Sequence, residues 1–559
     1  MIPNILIFTS FYIFIIFSVI GYGLFFGKLV NKESTTYNLG YSGLVGIFFL
    51  IIYSYISHFF ISHGLVHNSI LLIIGIFLSV GFIIKNSEKN FFYLILLIFL
   101  ILYIGLIIFK THDDFPYYHF PYTYYLTQNS TFIGIGIFNH GFRTPSSLFY
   151  LSSIFYLPFI KYNLFLMPAI LILGFVNLIL LSKIVKNFNL NKVDYSSYLC
   201  LLSLAFINIF FYRIQEHGTD RSAQILVFIL FIDLILFVSF QSNFKNNINN
   251  ILITLGLIIS LKSFYILYLL FIIPIFYILY KEDRLNLIIQ TIKTKIFLLF
   301  LLFFFIILIV NFLNSSCLLY PINFTCFDNL SWSIGSNEVL KMNNWYELWS
   351  KGGAGPNHRV ENPDLYIQNL NWLSNWTSIY FFNKISDFLV GLLFLLIIFF
   401  SIFYSKTKIK IKNNNYIFFI FGVVIILFFE WFLNHPALRY GGYCIIALLL
   451  FFPFSLILEK FNNTHKNLKI KFLSIILLIF LIFFVRNFMR IIDENEKYDY
   501  KPLKDVYYRI DANHFRINDT FNNLIINYEN CKLNTNKCNT KLKPKLDKFY
   551  KTYIFKTND

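Results

Sequence analysis

The chain alternates between long apolar runs and short polar segments from its first residues to about position 490. Each run has roughly the length that a helix needs to cross a bilayer, about 20 residues. The pattern therefore predicts an all-α polytopic membrane protein with about 14 transmembrane helices. The predicted spans are 5–26, 42–60, 68–84, 91–109, 163–182, 195–212, 222–240, 250–261, 263–280, 296–313, 386–404, 416–433, 441–458 and 471–488.

One part of this pattern allows two interpretations. Residues 250–280 form either one long helix or two short helices that break at 260–263. Composition supports the membrane class, because 57% of the residues are hydrophobic and only 13% are charged. Soluble domains carry about 25% charged residues.

Lysine and arginine are distributed unevenly between the two sets of loops. With the N-terminus outside, about 20 of them fall on one side, against Arg213, Arg221, Lys262 and Arg439 on the other. The rich side is expected to be cytoplasmic, and this bias requires that 250–280 crosses twice. Because the lysines lie in short loops between apolar runs, the net charge of +18 does not indicate nucleic-acid binding.

This topology puts every unusual polar segment on the outer face. A transmembrane core, 1–488, is expected to carry a catalytic outer loop at 110–162 and a second outer loop at 314–385. An extracytoplasmic polar tail, 489–559, is expected to form a small cap or to be partly disordered. The aromatic stretch 115–125 predicts an interfacial helix lying on the membrane.

Four cysteines fall in the outer segments as two closely spaced pairs, Cys317 with Cys326 and Cys531 with Cys538. An oxidising compartment favours disulfides between such neighbours. Four free thiols or a metal site are the alternatives, and a metal site is disfavoured because no histidine lies near the pair in the tail.

The most informative motif is the group of ionisable residues that follows the span 91–109, namely His112, Asp113, Asp114 and His119. Charged residues at a membrane boundary are costly and often functional. Either carboxylate can act as a general base for a hydroxyl, and a divalent metal is an open alternative. The structural interpretation is a helix N-cap at the aspartates, although capping needs only one of them.

Four further outer-face segments contain candidate ligands for an anionic or sugar substrate. Each has a structural alternative: a polar turn, a local ion pair or a lysine that reaches the surface. The arginines and the lysine suit a phosphate. The candidates are Asn139, His140 and Arg143, then Glu216, His217, Asp220 and Arg221, then Lys262, and finally Arg439.

Taken together, these motifs resemble the GT-C class of membrane glycosyltransferases, and more closely a group of uncharacterised bacterial multi-pass proteins of that type. The resemblance is carried by Asp113/Asp114 with Tyr117 and His119 and by the stretch 134–143. It continues in Leu319-Tyr320-Pro321 and Pro436-Ala-Leu-Arg439. It covers most of the membrane core and not the tail. In better-known members the aspartate loop follows the first span, whereas here three spans precede it.

The resemblance implies a polyprenyl-phosphate-linked sugar donor and a glycan, lipid or protein acceptor at the outer face of the bacterial cytoplasmic (inner) membrane. Asp113 or Asp114 would be the base. Residues implied to hold the lipid phosphate are Arg143, Arg221, Lys262 and Arg439; those implied to orient sugar hydroxyls are His119, Asn139, His140 and Glu216. Two alternatives remain: an O-antigen polymerase or ligase, and a transporter or flippase of lipid-linked glycans, which usually carries internal repeats and midplane charges.

Overall fold

The computed structural model describes residues 4–30, 38–85, 89–189, 193–239, 244–281, 285–355, 360–405, 416–461 and 467–557. Within these ranges the protein is almost entirely helical, and its one sheet is a two-stranded hairpin. The α-helices are α1 (Ile5–Val30), α2 (Leu39–His58), α3 (Leu65–Lys85), α4 (Lys89–Tyr103), α5 (Phe120–Gln128), α6 (Ser147–Ser153), α7 (Met167–Asn189), α8 (Tyr195–Ile209), α9 (Gly218–Ser239), α10 (Phe244–Leu261), α11 (Ile272–Lys281), α12 (Leu285–Ile292), α13 (Lys295–Ser315), α14 (Ser336–Lys351), α15 (Pro363–Ile367), α16 (Leu373–Trp376), α17 (Ser386–Phe403), α18 (Tyr416–Asn434), α19 (Gly442–Lys460), α20 (Asn467–Tyr498) and α21 (Arg516–Leu533). The strands are β1 (Lys545–Phe549) and β2 (Thr552–Lys556).

The all-α polytopic class is confirmed. Eleven helices in the described ranges are long and apolar enough to cross a membrane. Three more apolar helices are shorter: Phe92–Tyr103, Tyr195–Ile209 and Asn247–Leu261. Each of the 14 predicted spans therefore contains a helix, but three of those helices fall short of spanning length.

Most helix boundaries lie within a few residues of the predicted ones, and three places bear on the site. The span predicted for 91–109 is helical only to Tyr103, and a buried irregular segment follows it. The break at 260–263 is confirmed, since Lys262 has an extended backbone (φ −161°, ψ 141°) before the 3-10 helix Ser263–Phe271. α20 continues to Tyr498, past the tail boundary drawn at 489.

Small residues set the distance between the first three helices. A Cβ on Gly23 would lie 1.7 Å from the backbone oxygen of Ser42 in α2, and a Cβ on Gly46 would lie 2.0 Å from that of Val19. A Cβ on Gly21 would lie 1.9 Å from the oxygen of Gly75 in α3. Because apolar burial gives no driving force within lipid, such close packing contributes much of the attraction between the helices.

The helices divide into a buried centre and a periphery. The most apolar stretches of α2, α7 and α9 are 78%, 83% and 89% buried, against 33% for α3, α13, α18 and α20. Within the centre, the amides of Asn177 in α7 and Asn208 in α8 bond each other at 3.0 and 2.8 Å, which links the two helices. The peripheral helices leave their remaining apolar surface for lipid.

The polar tail forms a cap over the segment 110–162. α21 and the β1–β2 hairpin place Phe555, which is fully buried, against Phe132, Phe138 and Phe521. The backbone of Ile133 also bonds β2, through Tyr553 O and Phe555 N, both at 2.9 Å. Of the two predicted alternatives, the structure therefore has the cap.

Both predicted disulfides are confirmed. Cys317 is bonded to Cys326 in the segment that follows α13, and Cys531 near the end of α21 is bonded to Cys538. Cys200 and Cys444 are buried free thiols.

The predicted helix at 115–125 is present but is covered by protein. A π-helical turn, Phe115–His119, leads directly into α5. Most of α5 is buried, against α6 and α21 among others. The expectation that this segment lies on the membrane surface was therefore wrong.

Many of the lysines used to predict orientation occupy helix ends or lie outside the described residues. Lys32, Lys192, Lys406 and Lys410 belong to ranges that the structure does not describe. Lys183, one residue past the end of the span predicted at 163–182, lies inside α7.

Candidate functional site

Four ionisable side chains from four separate segments of the chain meet in one group, here called the ionic cluster: Asp114, Asp220, Lys262 and Arg439. The guanidinium of Arg439 bridges the two carboxylates, with Nη2 3.1 Å from Asp114 Oδ2 and Nε 2.9 Å from Asp220 Oδ2. Lys262 Nζ donates to the other oxygen, Oδ1, of Asp220. Two carboxylates and two cations thus share one connected network.

Each member of the ionic cluster lies at an end of a helix. Asp114 precedes the helical run that leads into α5, and Asp220 is in the first turn of α9. Lys262 occupies the extended break after α10. Arg439 lies in a 3-10 turn that ends at Gly441, whose φ of +101° favours glycine. Helix ends are where a membrane helix can present charge to water at low cost.

Arg439 is held in place by side chains that the sequence analysis did not select. Gln224 donates to the backbone oxygen of Arg439 at 3.2 Å and accepts from the N–H of Cys444 at 3.1 Å. The guanidinium lies 5.4 Å from the ring centre of Trp349 in α14, a favourable cation–π arrangement. Lys262 Nζ lies 4.9 Å from the ring centre of Tyr440, the residue that follows Arg439.

The electrostatic balance keeps Asp114 ionised. Burial raises the pKa of this carboxyl, but the charge and the hydrogen bond of Arg439 outweigh burial and hold the pKa below its usual range. Burial likewise lowers the pKa of Arg439, yet Asp220 and other anionic neighbours raise it well above its ordinary value. An ionised carboxylate and a permanent cation therefore face each other at neutral pH.

Three histidines surround the ionic cluster in their neutral form. The rings of His112 and His217 are 4.7 Å apart, and those of His112 and His119 are 6.2 Å apart. Burial lowers the pKa of His119 to about 3 and that of His217 to about 2. Neutral imidazoles supply one donor and one acceptor each, which suits hydroxyl groups better than phosphate.

His112 contributes to the site through its tautomer. Its Nδ1 accepts a hydrogen bond from the backbone N–H of Asp114 at 3.0 Å, so the ring proton belongs on Nε2. The 3.4 Å approach of Nδ1 to Asp114 Oδ2 is for that reason a contact between two acceptors and not an ion pair.

A small cavity lies beside the histidines. Its volume is about 40 Å³, and the residues that line it include His112, His119, Phe149, Ser152, Gln215, Glu216, Gly218 and Thr219. That volume admits water but is far below the ~300 Å³ typical of small ligand sites. A sugar could enter only if the surrounding segments moved apart.

Asn139, His140 and Arg143 lie next to the ionic cluster without joining it. Arg143 donates to Tyr320 Oη at 2.7 Å and to Gly136 O at 3.2 Å, and its side chain is only 8% exposed. Asn139 caps a short turn by accepting from the N–H of Gly141 at 2.8 Å.

His140 is exposed, and its ring centre lies 6.3 Å from that of Trp345 and 6.0 Å from that of Tyr118. Tyr118 Oη donates to Asp114 at 3.3 Å, which connects this neighbouring group to the ionic cluster.

Glu216 and Arg221 make contacts other than those expected for ligands. Arg213 bonds both oxygens of Glu216, with Nε 3.0 Å from Oε1 and Nη2 on Oε2, and Arg490 also bonds Oε1. Arg221 stacks over the rings of Phe211 and Tyr443, at 4.3 and 4.8 Å. Sugar binding by Glu216 and phosphate binding by Arg221 stay predictions, and in this conformation both groups join the segment 213–221 to other helices.

The two adjacent aspartates differ in their surroundings. Asp114 has the contacts given above, whereas Asp113 is exposed and forms no hydrogen bond or ion pair with the described residues. Asp114 stands at the start of a helix, yet its side chain makes no capping hydrogen bond, so the N-cap interpretation fails for it. No group of three or more His, Cys, Asp or Glu residues in the described ranges could hold a metal ion.

The fold and this site define an all-helical, multi-pass membrane protein with an ionic cluster at the ends of its helices. The chain belongs to the family described as "Domain of unknown function (DUF8201)", whose family model matches residues 4–446. No curated protein and no solved structure matches the chain. The matched region contains the entire ionic cluster and ends inside α19, so α20 and the cap lie outside it.

Proposed function

We propose that the protein is an integral membrane glycosyltransferase that moves a sugar from a polyprenyl-phosphate donor to an acceptor. One observation carries the proposal: Asp114, a partly exposed and ionised carboxylate, shares the guanidinium of Arg439 with the buried Asp220. A base for an acceptor hydroxyl and a cation for a donor phosphate are thereby in direct contact. The histidines beside them can bond sugar hydroxyls.

The proposed location is the outer face of the bacterial cytoplasmic membrane. Two observations support it. The excess of lysine and arginine lies in the loops opposite the ionic cluster. The disulfides Cys317–Cys326 and Cys531–Cys538 belong to the outer loop and the cap, as suits an oxidising compartment.

The reaction begins when the donor phosphate approaches Arg439 and Lys262. The phosphate oxygens compete with Asp114 for Arg439, and a guanidinium released from Asp114 no longer lowers the pKa of that carboxyl. Burial then makes Asp114 a stronger base, so donor binding and base activation are linked.

In the transfer step, Asp114 takes the proton of the acceptor hydroxyl as that oxygen attacks the anomeric carbon. The bond from this carbon to the phosphate oxygen breaks, and polyprenyl phosphate leaves with the bonding electrons. Arg439 and Lys262 stabilise the negative charge that develops on the leaving oxygen. Direct displacement of this kind inverts the configuration at the anomeric carbon.

The test compares Asp114→Asn with Asp113→Asn, a matched change at the adjacent exposed carboxylate. Envelope glycans and lipid-linked intermediates are measured by mass spectrometry, against wild type and a deletion, at equal protein levels. We expect the deletion and Asp114→Asn to lose the same glycan, while Asp113→Asn keeps it.

Two results would contradict this proposal. If Asp113→Asn lost the glycan and Asp114→Asn kept it, the base would be Asp113 and not Asp114. An unchanged glycan profile in the deletion would end the glycosyltransferase proposal and favour a transporter or flippase.

A further inference from the structure

The last turns of α20 extend beyond its apolar part and carry a buried carboxylate. Glu494 is 6% exposed, whereas the neighbouring Asp493 and Glu496 face solvent. Glu494 Oε2 accepts the N–H of Phe109 at 2.8 Å, and Oε1 accepts that of Lys110 at 3.2 Å. Both donors lie in the irregular segment after α4, two to five residues before His112 and Asp114.

A second contact runs from the same face of α20 to another segment of the site. Arg490, one turn before Glu494, bonds Glu216 and also donates to Asn487 at 3.2 Å. Glu216 is followed directly by His217, and Asp220 comes one turn later in α9. One turn of α20 therefore holds the two segments that supply both carboxylates of the ionic cluster.

We propose that Arg490 and Glu494, here called the clamp, are positioning residues that fix Asp114 and Asp220 at the separation that Arg439 can bridge. The effect of the clamp on turnover rests on the proposed function, but its effect on the segment before Asp114 does not.

Two physical reasons support the clamp. The N–H groups of Phe109 and Lys110 have no helical partner, and partly buried backbone donors need an acceptor. A single carboxylate satisfies both donors and ties the segment to a rigid helix. Without it the segment can shift, and a displacement of about 1 Å at a catalytic group can cost ~100-fold in rate.

Glu494 is the better residue to change, since removing Glu216 would leave Arg213 and Arg490 unpaired and could unfold the protein. The full-length protein in detergent is studied by hydrogen–deuterium exchange as wild type, Glu494→Ala, Glu494→Gln and Glu496→Ala. Glu496 lies half a turn away, is exposed, and serves as the matched control.

We expect Glu494→Ala to speed exchange in the segment 105–114 about tenfold while leaving the hairpin of β1 and β2 unchanged. Glu494→Gln should have a smaller effect, because its amide oxygen still accepts one N–H. Glu496→Ala should match wild type. Unchanged exchange in 105–114, or an increase spread evenly over the chain, would overturn the clamp.

The amount of product is then measured for the same variants, where the product is the glycan that is missing in the deletion. We expect about a tenfold loss per folded molecule in Glu494→Ala, recovery to within about threefold in Glu494→Gln, and no change in Glu496→Ala. Faster exchange without loss of product would overturn the positioning role. If the deletion loses no glycan, the proposed function fails, and the exchange measurement alone decides the clamp.

Discussion

Helix α9 carries a buried aspartate near each of its ends, and the two have different surroundings. Asp220 and Asp233 are separated by about 20 Å along the helix, at ~1.5 Å per residue. Asp233 Oδ1 accepts from Tyr41 Oη at 2.5 Å and from Lys183 Nζ at 2.8 Å. Its other oxygen is buried and has no hydrogen-bond partner among the described residues.

Asp220 belongs to a network that continues outward. Both of its oxygens are bonded, one by Lys262 and one by Arg439, and Arg439 goes on to Asp114. The side chains of Asp114 and Arg439 are 32% and 29% exposed, against 5% for Asp233. A buried ion pair by itself therefore does not mark a site, and what distinguishes Asp220 is its connection to groups that a substrate can reach.

The largest expected effect comes from Arg439→Lys. Lysine keeps the charge but cannot bridge two carboxylates in one plane, so Asp114 and Asp220 lose their common partner. We expect at least about a 100-fold loss of product per folded molecule, because donors at developing charge contribute ~3 kcal/mol. The loss is measured by mass spectrometry of the glycan that is missing in the deletion. A product level within threefold of wild type would contradict the role of Arg439.

Asp233→Asn should reduce stability and leave the amount of product unchanged. It leaves Lys183 without its anionic partner, which we expect to lower the free energy of unfolding by about 3 kcal/mol. Product per folded molecule should stay at the wild-type level. Stability is measured by thermal unfolding in detergent. Loss of product at normal stability would contradict the assignment of Asp233 to stability and of Asp220 to the site.

The dependence of stability on pH tests the neutral histidines. The pKa of His119 is lowered to about 3, so between about pH 6.5 and 3 the unfolded chain binds a proton that the folded protein does not. The contribution of His119 to the free energy of unfolding is therefore fully present above pH 6.5. It falls as the pH drops below that value, by about 1.4 kcal/mol per pH unit. His119→Asn should reduce the measured slope by that amount, as determined by unfolding between pH 7 and 5, while His217 keeps its own contribution. An unchanged slope would mean that His119 is protonated in the folded protein.

Tyr118→Phe should produce the smallest change. It removes only the hydroxyl that donates to Asp114 at 3.3 Å, a bond worth about 1 kcal/mol. We expect a reduction in product of less than tenfold, with stability close to that of wild type. A loss as large as that of Arg439→Lys would instead place Tyr118 among the groups that contact substrate.

The positions of the helices could be predicted from the sequence because apolar runs of spanning length are a local property. The end of α4 was predicted wrongly, since residues 104–108 are as apolar as the helix and are buried without being helical. Lys183 was assigned to a loop because the predicted span ended at residue 182, whereas α7 continues to Asn189. Gln224 and Glu494 were missed because their contacts with the site depend on other helices. Tyr118 lies only four residues after Asp114, so helical spacing could have selected it.

Local composition and short spacing were enough to predict the membrane class, the two disulfide pairs and a set of polar residues that contains the whole ionic cluster, and they offered the break at 260–263 as one of two interpretations. Which candidates meet depends on the fold, with Asp114 and Arg439 325 residues apart in the chain and 3.1 Å apart in space. Pairing of buried charges depends on how the helices pack, because an unpaired charge in that environment is too costly to be retained.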